Sequence, residues 1–268
     1  MDNKNVFVAI ALSMAVLLFW GAFFETPRQV KENHSIDKVQ TNQNEIQGNI
    51  TPSINQETVI KKISRDDALT EVDRVIIENE KVKGSISLKG AIFDDLSFKN
   101  YKKDLKSGEN VIFLNPKEIE DGYYIESGWT SIGNKVEVPG VDSLWQVKGN
   151  RVLSEKNNVV LEWNNGKGLI FKKTIKLDDK YLFKIKQEVQ NNTSTKINLY
   201  PYAQITRNKK PDDVMGFYIL HEGFIGVFDG ELKEDDYDDI EEKKAVRNSD
   251  NGWLGITDKY WVTAIVPP

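Results

Sequence analysis

Apolar residues are distributed unevenly along the 268-residue chain, which has one long apolar run followed by many short ones. The long run, VFVAIALSMAVLLFWGAFF at residues 6–24, contains no charged side chain. As a helix, it would approach the roughly 30 Å thickness of a bilayer core. A cleaved signal needs a shorter apolar core and small residues at its end, whereas this run ends in Trp20, Phe23 and Phe24. Residues 1–24 are therefore predicted to be a transmembrane anchor, with a cleaved signal and a buried helix as alternatives.

Residues 25–67 show no sustained apolar period. Their stretch TNQNEIQGNITPSINQ is rich in Asn, Gln and Thr, with only isolated isoleucines. This composition buries too little apolar surface to offset the entropy lost on ordering. We predict a polar, flexible linker in which His34 is a solvated side chain without a role.

The charges around the apolar run leave its orientation open. Lys4 precedes the run, whereas Arg28, Lys31 and Lys38 follow it. A simple count of basic residues would place the rest of the chain in the cytoplasm. Long domains, however, cross membranes largely regardless of flanking charge, so this count does not decide the side.

From about residue 68, short apolar stretches alternate with polar positions, as expected of half-buried strands. They lie at residues 72–78, 82–88, 159–163, 169–177, 182–189 and 197–205. The third and fourth flank the loop NNGKG and predict a hairpin. Pro201 in the last stretch indicates an edge strand or a bulge, because proline cannot donate a ladder hydrogen bond. With no helix of ten or more residues predicted after residue 70, residues 68–268 are predicted to form an all-β fold, a large antiparallel β-sandwich.

Composition narrows the chemistry available to this β-domain. The chain has no cysteine, which excludes disulfides, thiolate nucleophiles and cysteine-ligated metals. Its only histidines are His34 and His221. The 41 acidic and 36 basic residues give a net charge of −5, which argues against nucleic acid as a partner. We predict no metal and no cofactor.

Much of the acidity is concentrated at residues 231–242, which hold eight carboxylates and one lysine. The run does not fit a calcium-binding EF-hand loop, because the third ligand position counted from Asp236 is Ile240 and no glycine follows at the sharp-turn position. We therefore expect a solvated acidic loop in preference to a calcium site.

The sequence contains no recognisable catalytic motif. It lacks a Walker loop, a Gly-x-Ser-x-Gly elbow and a His-Glu-x-x-His pair. His221 is predicted to be a half-buried strand residue bonded to a neighbour, not a general base. The aromatic residues are compatible with a sugar-binding face, but they favour core and edge packing. They include nine tyrosines and Trp129, Trp145, Trp163, Trp253 and Trp261. We predict no catalytic, cofactor-binding or metal-binding residues and no enzyme.

Several stretches, in order along the chain, carry a resemblance to a known family. They are MDNKNVFVAIALSMAVLLFW at residues 1–20, SLKGAIFDDLSFKNYK at 87–102, VVLEWNNGKGLIFKKTIKLDDKYLFKIKQEV at 159–189, FYILHEGFIGVFDGEL at 217–232 and GWLGITDKYWVTAIVPP at 252–268. The first resembles the first membrane span, and the others resemble the following domain, of membrane protein insertases of the YidC/Oxa family. These stretches are most similar to the sequences of alphaproteobacterial members, and the last two matches are the most specific.

The resemblance implies a fold, a location and partners. The β-domain would be a periplasmic supersandwich similar to galactose mutarotases, and the first span would cross the bacterial inner membrane toward the periplasm. Mutarotase activity is not implied, because mutarotases use several histidines and the β-domain sequence has only His221. The expected function is insertion and folding of integral membrane proteins. The expected partners are nascent integral membrane proteins, the Sec translocon with its accessory subunits, and the lipid bilayer.

The family's insertase core, a later bundle of five membrane helices with an arginine in its groove, has no counterpart in these 268 residues. We therefore expect this chain to be an incomplete piece that stops before the last strands of the β-domain. Two other hypotheses remain. One is a free-standing, membrane-anchored periplasmic binding domain for glycan or protein. The other is a periplasmic sugar epimerase, whose activity would depend on His221.

Overall fold

The computed structural model describes residues 8, 12–16, 60–106, 108–131, 136–212, 214, 220–242 and 244–268. The chain divides into two units, Met1–Ile46 and Gln47–Pro268. In the first unit, residues 8 and 12–16 are helical with exposed side chains. Across the described ranges, no helix combines the length and apolar character needed to cross a bilayer. Most of the predicted anchor and linker lies outside the described residues, so both remain predictions.

The second unit is built mainly from three β-sheets. Sheet 1 contains β1 (Arg74–Glu78), β2 (Val82–Ser87), β3 (Ile92–Lys102), β4 (Asn110–Leu114), β5 (Tyr123–Ser131), β7 (Val152–Leu153) and β11 (Leu199–Arg207). Sheet 2 contains β6 (Gln146–Lys148), β8 (Val159–Asn164), β9 (Leu169–Leu177) and β10 (Phe183–Asn191). Sheet 3 contains β12 (Gly223–Phe228), β13 (Glu231–Asp236), β14 (Gly252–Asp258) and β15 (Trp261–Ile265). The described helices of this unit are short: α1 (Arg65–Thr70) and α2 (Tyr237–Glu242).

Strand pairing is almost entirely antiparallel. Sheet 1 runs β11-β5-β3-β2-β1-β7, with β4 also paired to β3, and within the described ranges only β1 and β7 pair in parallel. The predicted hairpin is confirmed as β8 and β9, whose connecting loop places Gly166 and Gly168 at positive φ. Pro201 lies in β11 at the edge of sheet 1, as its missing N–H predicted.

Sheets 1 and 2 face each other across one apolar core. Alternation along β9 directs Leu169, Phe171 and Ile175 inward, and all three side chains are fully buried. The Phe171 ring lies 5.1 Å from the ring of Trp129 on β5. This mostly antiparallel, helix-poor architecture agrees with the predicted all-β class and is consistent with a β-sandwich.

The acidic run at residues 231–242 was expected to be a solvated loop; its strand positions are largely exposed, as expected, but the prediction of a loop was wrong. The run forms β13 and then α2. Tyr237, at the start of α2, is buried and donates its hydroxyl to Asp258 of β14 at 3.0 Å. This tertiary contact orders a segment whose charges alone favoured solvation.

Candidate functional site

An open cleft of about 1480 Å³ lies on the face of sheet 1 that points away from sheet 2. Alternation on β1 produces this face, because Val75 and Ile77 point into the core while Ile76 and Glu78 point outward. The β3–β4 hairpin and the residues around α1 form its walls. We refer to this feature as the outer cleft.

A β-bulge shapes the floor of the outer cleft. Ser85 pairs with Asp95 and Ile86 with Phe93, so Asp94 is the extra residue of β3. Asp94 forms a buried ion pair with Arg74 of β1, and Asp95 accepts a 2.6 Å hydrogen bond from Ser85. Burial raises the pKa of the Asp94 carboxyl to about 6, and the Arg74 guanidinium opposes only part of that rise.

Side chains at the start of helix α1 cap the helix and bind it to this floor. The hydroxyl of Ser64 caps the helix by accepting the Asp67 N–H at 3.1 Å. Arg65 then pairs with Asp95 and donates to the side chain of Asn115 at 3.0 Å. Because α1 spans residues 65–70, it crosses the predicted boundary between linker and β-domain at 67/68.

At the opposite end of the outer cleft, ion pairs connect separate segments of the chain. Lys209 lies 3.0 Å from Asp121, 3.1 Å from Asp212 and 3.4 Å from Glu120. Next to it, Arg207 of β11 pairs with Asp258 at 2.5 Å and stacks 4.1 Å above the ring of Tyr123. Arg207 thus connects sheet 1 to sheet 3 at the margin of the cleft.

Lys173 is a buried cation that sequence reasoning missed. It donates to the Ser127 carbonyl at 2.6 Å and lies 4.9 Å from the Trp145 ring centre. Burial lowers the pKa of Lys173 to about 7, partly opposed by Glu126, and burial raises the pKa of Glu126. The burial of Lys173 could have been predicted from the sequence, because Lys173 and Phe171 are two residues apart on β9 and therefore point to the same face. Lys173 faces the core and not the outer cleft.

The other residues noted in the sequence, two histidines and two tryptophans, lie away from the outer cleft or outside the described residues. His221 is mostly buried and its Nε2 lies 2.9 Å from the Phe224 carbonyl, which confirms the predicted bond to a neighbour. It was predicted to be a strand residue, but it lies two residues before β12. Trp129 and Trp145 are buried in the core, as the packing interpretation predicted. His34 lies outside the described residues.

The outer cleft has the chemistry of a binding surface. Its lining mixes basic and acidic side chains with two half-exposed isoleucines, Ile76 and Ile112. Within the described ranges, no group of three or more His, Asp or Glu residues is placed to hold a metal ion. Such a lining can contact apolar side chains while pairing charges on either side, which suits a polypeptide ligand.

The comparison with known families decides what kind of domain this is. Residues 74–268 match the sequence family described as the YidC periplasmic domain. The chain belongs to this family. The resemblance stated from the sequence is thereby confirmed for the YidC periplasmic domain.

Three curated relatives of this YidC-family chain share the name membrane protein insertase YidC. The Pelagibacter ubique protein is 45% identical over 270 residues, covering 100% of this chain and 47% of the relative. The Sinorhizobium fredii protein is 39% identical, covering 100% and 46%, and a Cereibacter sphaeroides protein is 35% identical, covering 99% and 44%. This chain therefore spans about half the length of these relatives. The alternative of a free-standing glycan- or protein-binding domain is not favoured.

Proposed function

We propose that this chain is the amino-terminal part of a membrane protein insertase, and that its β-domain is a periplasmic binding module for protein. The similarity along the whole chain to proteins named membrane protein insertase YidC carries this proposal. The open, mixed-charge outer cleft supports binding over turnover. An insertase avoids leaving the backbone groups of a translocating polar loop unsatisfied in hydrocarbon, which costs several kcal/mol per group.

The finer architecture belongs to the same proposal. Residues 1–24 would anchor the chain in the inner membrane, residues 25–67 would be the linker, and residues 68–268 would be a periplasmic supersandwich similar to galactose mutarotases. Nascent integral membrane proteins would be the substrates, the Sec translocon and its accessory subunits would be partners, and the domain would catalyse no reaction.

A chimera tests the proposed function. The matching amino-terminal segment of the Pelagibacter ubique insertase is replaced by this chain, and insertion of a membrane protein is measured in cells depleted of their own insertase. We expect insertion to be restored. A chimera that accumulates in the membrane and folds, but does not restore insertion, would contradict the proposal.

Crosslinking tests the outer cleft as the binding surface. A photo-crosslinking residue replaces Ile112, which is 49% exposed in the cleft, or Val246, which is 74% exposed elsewhere. We expect crosslinks to a stalled nascent membrane protein from position 112 and few from position 246. Equal yields at the two positions would rule out the cleft as the contact surface while leaving the insertion assay to judge the function.

A further inference from the structure

Two connecting segments of the β-domain meet beside the end of β3 and expose apolar and aromatic side chains next to lysines. The end of β3 and the β3–β4 connection contribute Tyr101, Lys103, Leu105 and Lys106, and the β9–β10 connection contributes Tyr181 and Leu182. We call these six residues the hairpin-tip patch.

The patch is one surface because both segments pack against the same core residue. The ring of buried Phe98 lies 5.9 Å from Tyr101 and 5.7 Å from Tyr181. Trp261 of β15 lies 4.5 Å from Phe98 and 4.9 Å from Tyr101. These ring contacts fix the base of the patch to the core of the domain.

Leu105, at the tip of the patch, does not contribute to the packing of the domain. Leu105 has an exposed fraction of 106%, so its side chain is as accessible to solvent as in an extended chain. Leu182, Tyr101 and Tyr181 are 51%, 46% and 43% exposed. Scattered apolar side chains on a surface are normal, but a cluster of them indicates a contact surface.

The charge of the patch is opposite in sign to that of the whole chain. Residues 99–106 hold four lysines and Asp104, and residues 178–182 hold Asp178, Asp179 and Lys180, so the two segments together carry a charge of +2, whereas the chain has a net charge of −5. The Asp104 carboxylate accepts the Lys106 backbone N–H at 2.6 Å, and Asp178 accepts the Leu182 N–H at 2.9 Å. Both carboxylates are thus turned toward the backbone of their own loops.

We propose that the hairpin-tip patch docks on the anionic surface of a lipid bilayer, with Leu105, Tyr101 and Tyr181 entering the headgroup region. Tyrosine and leucine side chains partition into this interface, and neighbouring lysines are attracted to anionic lipids. The sequence-predicted anchor would hold the domain near a bilayer, so a weak affinity is sufficient. This inference rests on the proposed membrane anchor but not on insertase activity.

Because the chain has no cysteine, a single probe can report on the tip. Leu105→Cys in the full chain is labelled with an environment-sensitive fluorophore, and Val246→Cys, an exposed apolar position outside the patch, is the matched control. Labelled chains are floated with vesicles of phosphatidylethanolamine and phosphatidylglycerol. Quenching by lipids that carry a spin label near the headgroup is then measured.

We expect strong quenching and a blue-shifted emission at position 105, and neither at position 246. Adding Lys103→Gln and Lys106→Gln should move the equilibrium of the tip about 30-fold toward the free state, since each lysine contributes about fivefold near an anionic surface. Replacing phosphatidylglycerol by phosphatidylcholine should have a similar effect. Unchanged circular dichroism will show that the lysine variant is folded.

Three results would overturn the inference. One is equal quenching at positions 105 and 246, and another is failure of the chain to float with anionic vesicles. The third is rapid oxidation of Leu105→Cys in detergent to a disulfide between two chains, because that contact would assign the patch to a second copy of the chain.

Discussion

Sheet 1 contacts the other two sheets through different chemistry. Toward sheet 2 it presents rings, with Phe93 5.5 Å from Phe183 and Trp129 5.1 Å from Phe171. Toward sheet 3 it presents Arg207, which pairs with Asp258 and donates to the Tyr237 hydroxyl at 2.8 Å. The first interface is mainly apolar, whereas the second combines a hydrogen-bonded ion pair with packing of the Trp261 ring against Phe98.

The difference indicates separate roles for the two interfaces. Apolar burial is not directional, so the contact with sheet 2 mainly stabilises the domain. Ion pairs and hydrogen bonds require defined geometry and contribute less net free energy once desolvation is included, so the polar part of the contact with sheet 3 mainly fixes how that sheet attaches. Four substitutions test this comparison.

Phe171→Ala should have the largest effect. The side chain is fully buried between the Trp129 and Trp163 rings, and its loss leaves a cavity in the core. We expect the free energy of unfolding to fall by about 3–5 kcal/mol. Denaturant titration followed by tryptophan fluorescence measures the loss. A loss below about 1 kcal/mol would show that this interface is not the main source of stability.

Asp258→Asn should have a smaller effect, at the interface with sheet 3. It leaves Arg207 without its carboxylate partner, and the two side chains are only 18% and 23% exposed. We expect a loss of about 2 kcal/mol, below that of a fully buried pair because water still reaches both groups. The control is Asp212→Asn, whose carboxylate is 85% exposed and whose loss should change stability very little. Equal losses in the two variants would contradict the assigned role of Asp258.

Lys173→Met tests a cation buried inside the apolar interface. Folded Lys173 loses its proton near pH 7, whereas the unfolded side chain keeps it to about pH 10.5. Between these values the unfolded state binds more protons, so wild-type stability should rise with pH, by roughly 1–2 kcal/mol from pH 7 to pH 9. The rise should be absent in Lys173→Met.

Lys172→Met is the matched control for this pH dependence. Lys172 is the neighbouring residue on β9, with its side chain 36% exposed and 3.6 Å from Glu162. It should retain the wild-type rise in stability. If Lys173→Met also retains the rise, the titrating group is not Lys173.

Tyr123→Phe should give the smallest change. It removes one hydroxyl, which donates to Thr263 at 2.6 Å between sheets 1 and 3, and leaves the ring beneath Arg207 in place. We expect a loss of about 1 kcal/mol. Tyr101→Phe, at a half-exposed ring, should be neutral in the same titration. A Tyr123→Phe loss as large as that of Asp258→Asn would mean that the hydroxyl, and not the ion pair, dominates this interface.

Local features of the sequence were enough to predict many strands. The alternation at residues 169–177 and 182–189 corresponds to β9 and β10, and Pro201 was correctly read as an edge position. These predictions succeed because strand period and proline chemistry depend on neighbouring residues. The acidic run was misread because Tyr237 is ordered by Arg207 and Asp258, residues 30 and 21 positions away.

The outer cleft was beyond sequence reasoning for the same reason. Its floor depends on a bulge that places Asp94 against Arg74, 20 positions earlier, and its wall depends on Arg65 reaching Asp95. Alternation does not encode these pairings. The sequence did predict correctly that the aromatic residues include core residues such as Trp129 and Trp145.

Patterns along the chain were sufficient to predict the all-β class and the family, and the alternation of β9 also contains the face of Lys173, although that face was not predicted. The contacts of that lysine depend on the fold, because the Ser127 carbonyl and the Trp145 ring come from segments that no local period connects to β9. The tertiary structure also decided the parallel pairing of β1 with β7, in which Ile76 lies opposite Val152. Periodicity is a property of neighbouring residues, whereas these contacts depend on the path of the whole chain.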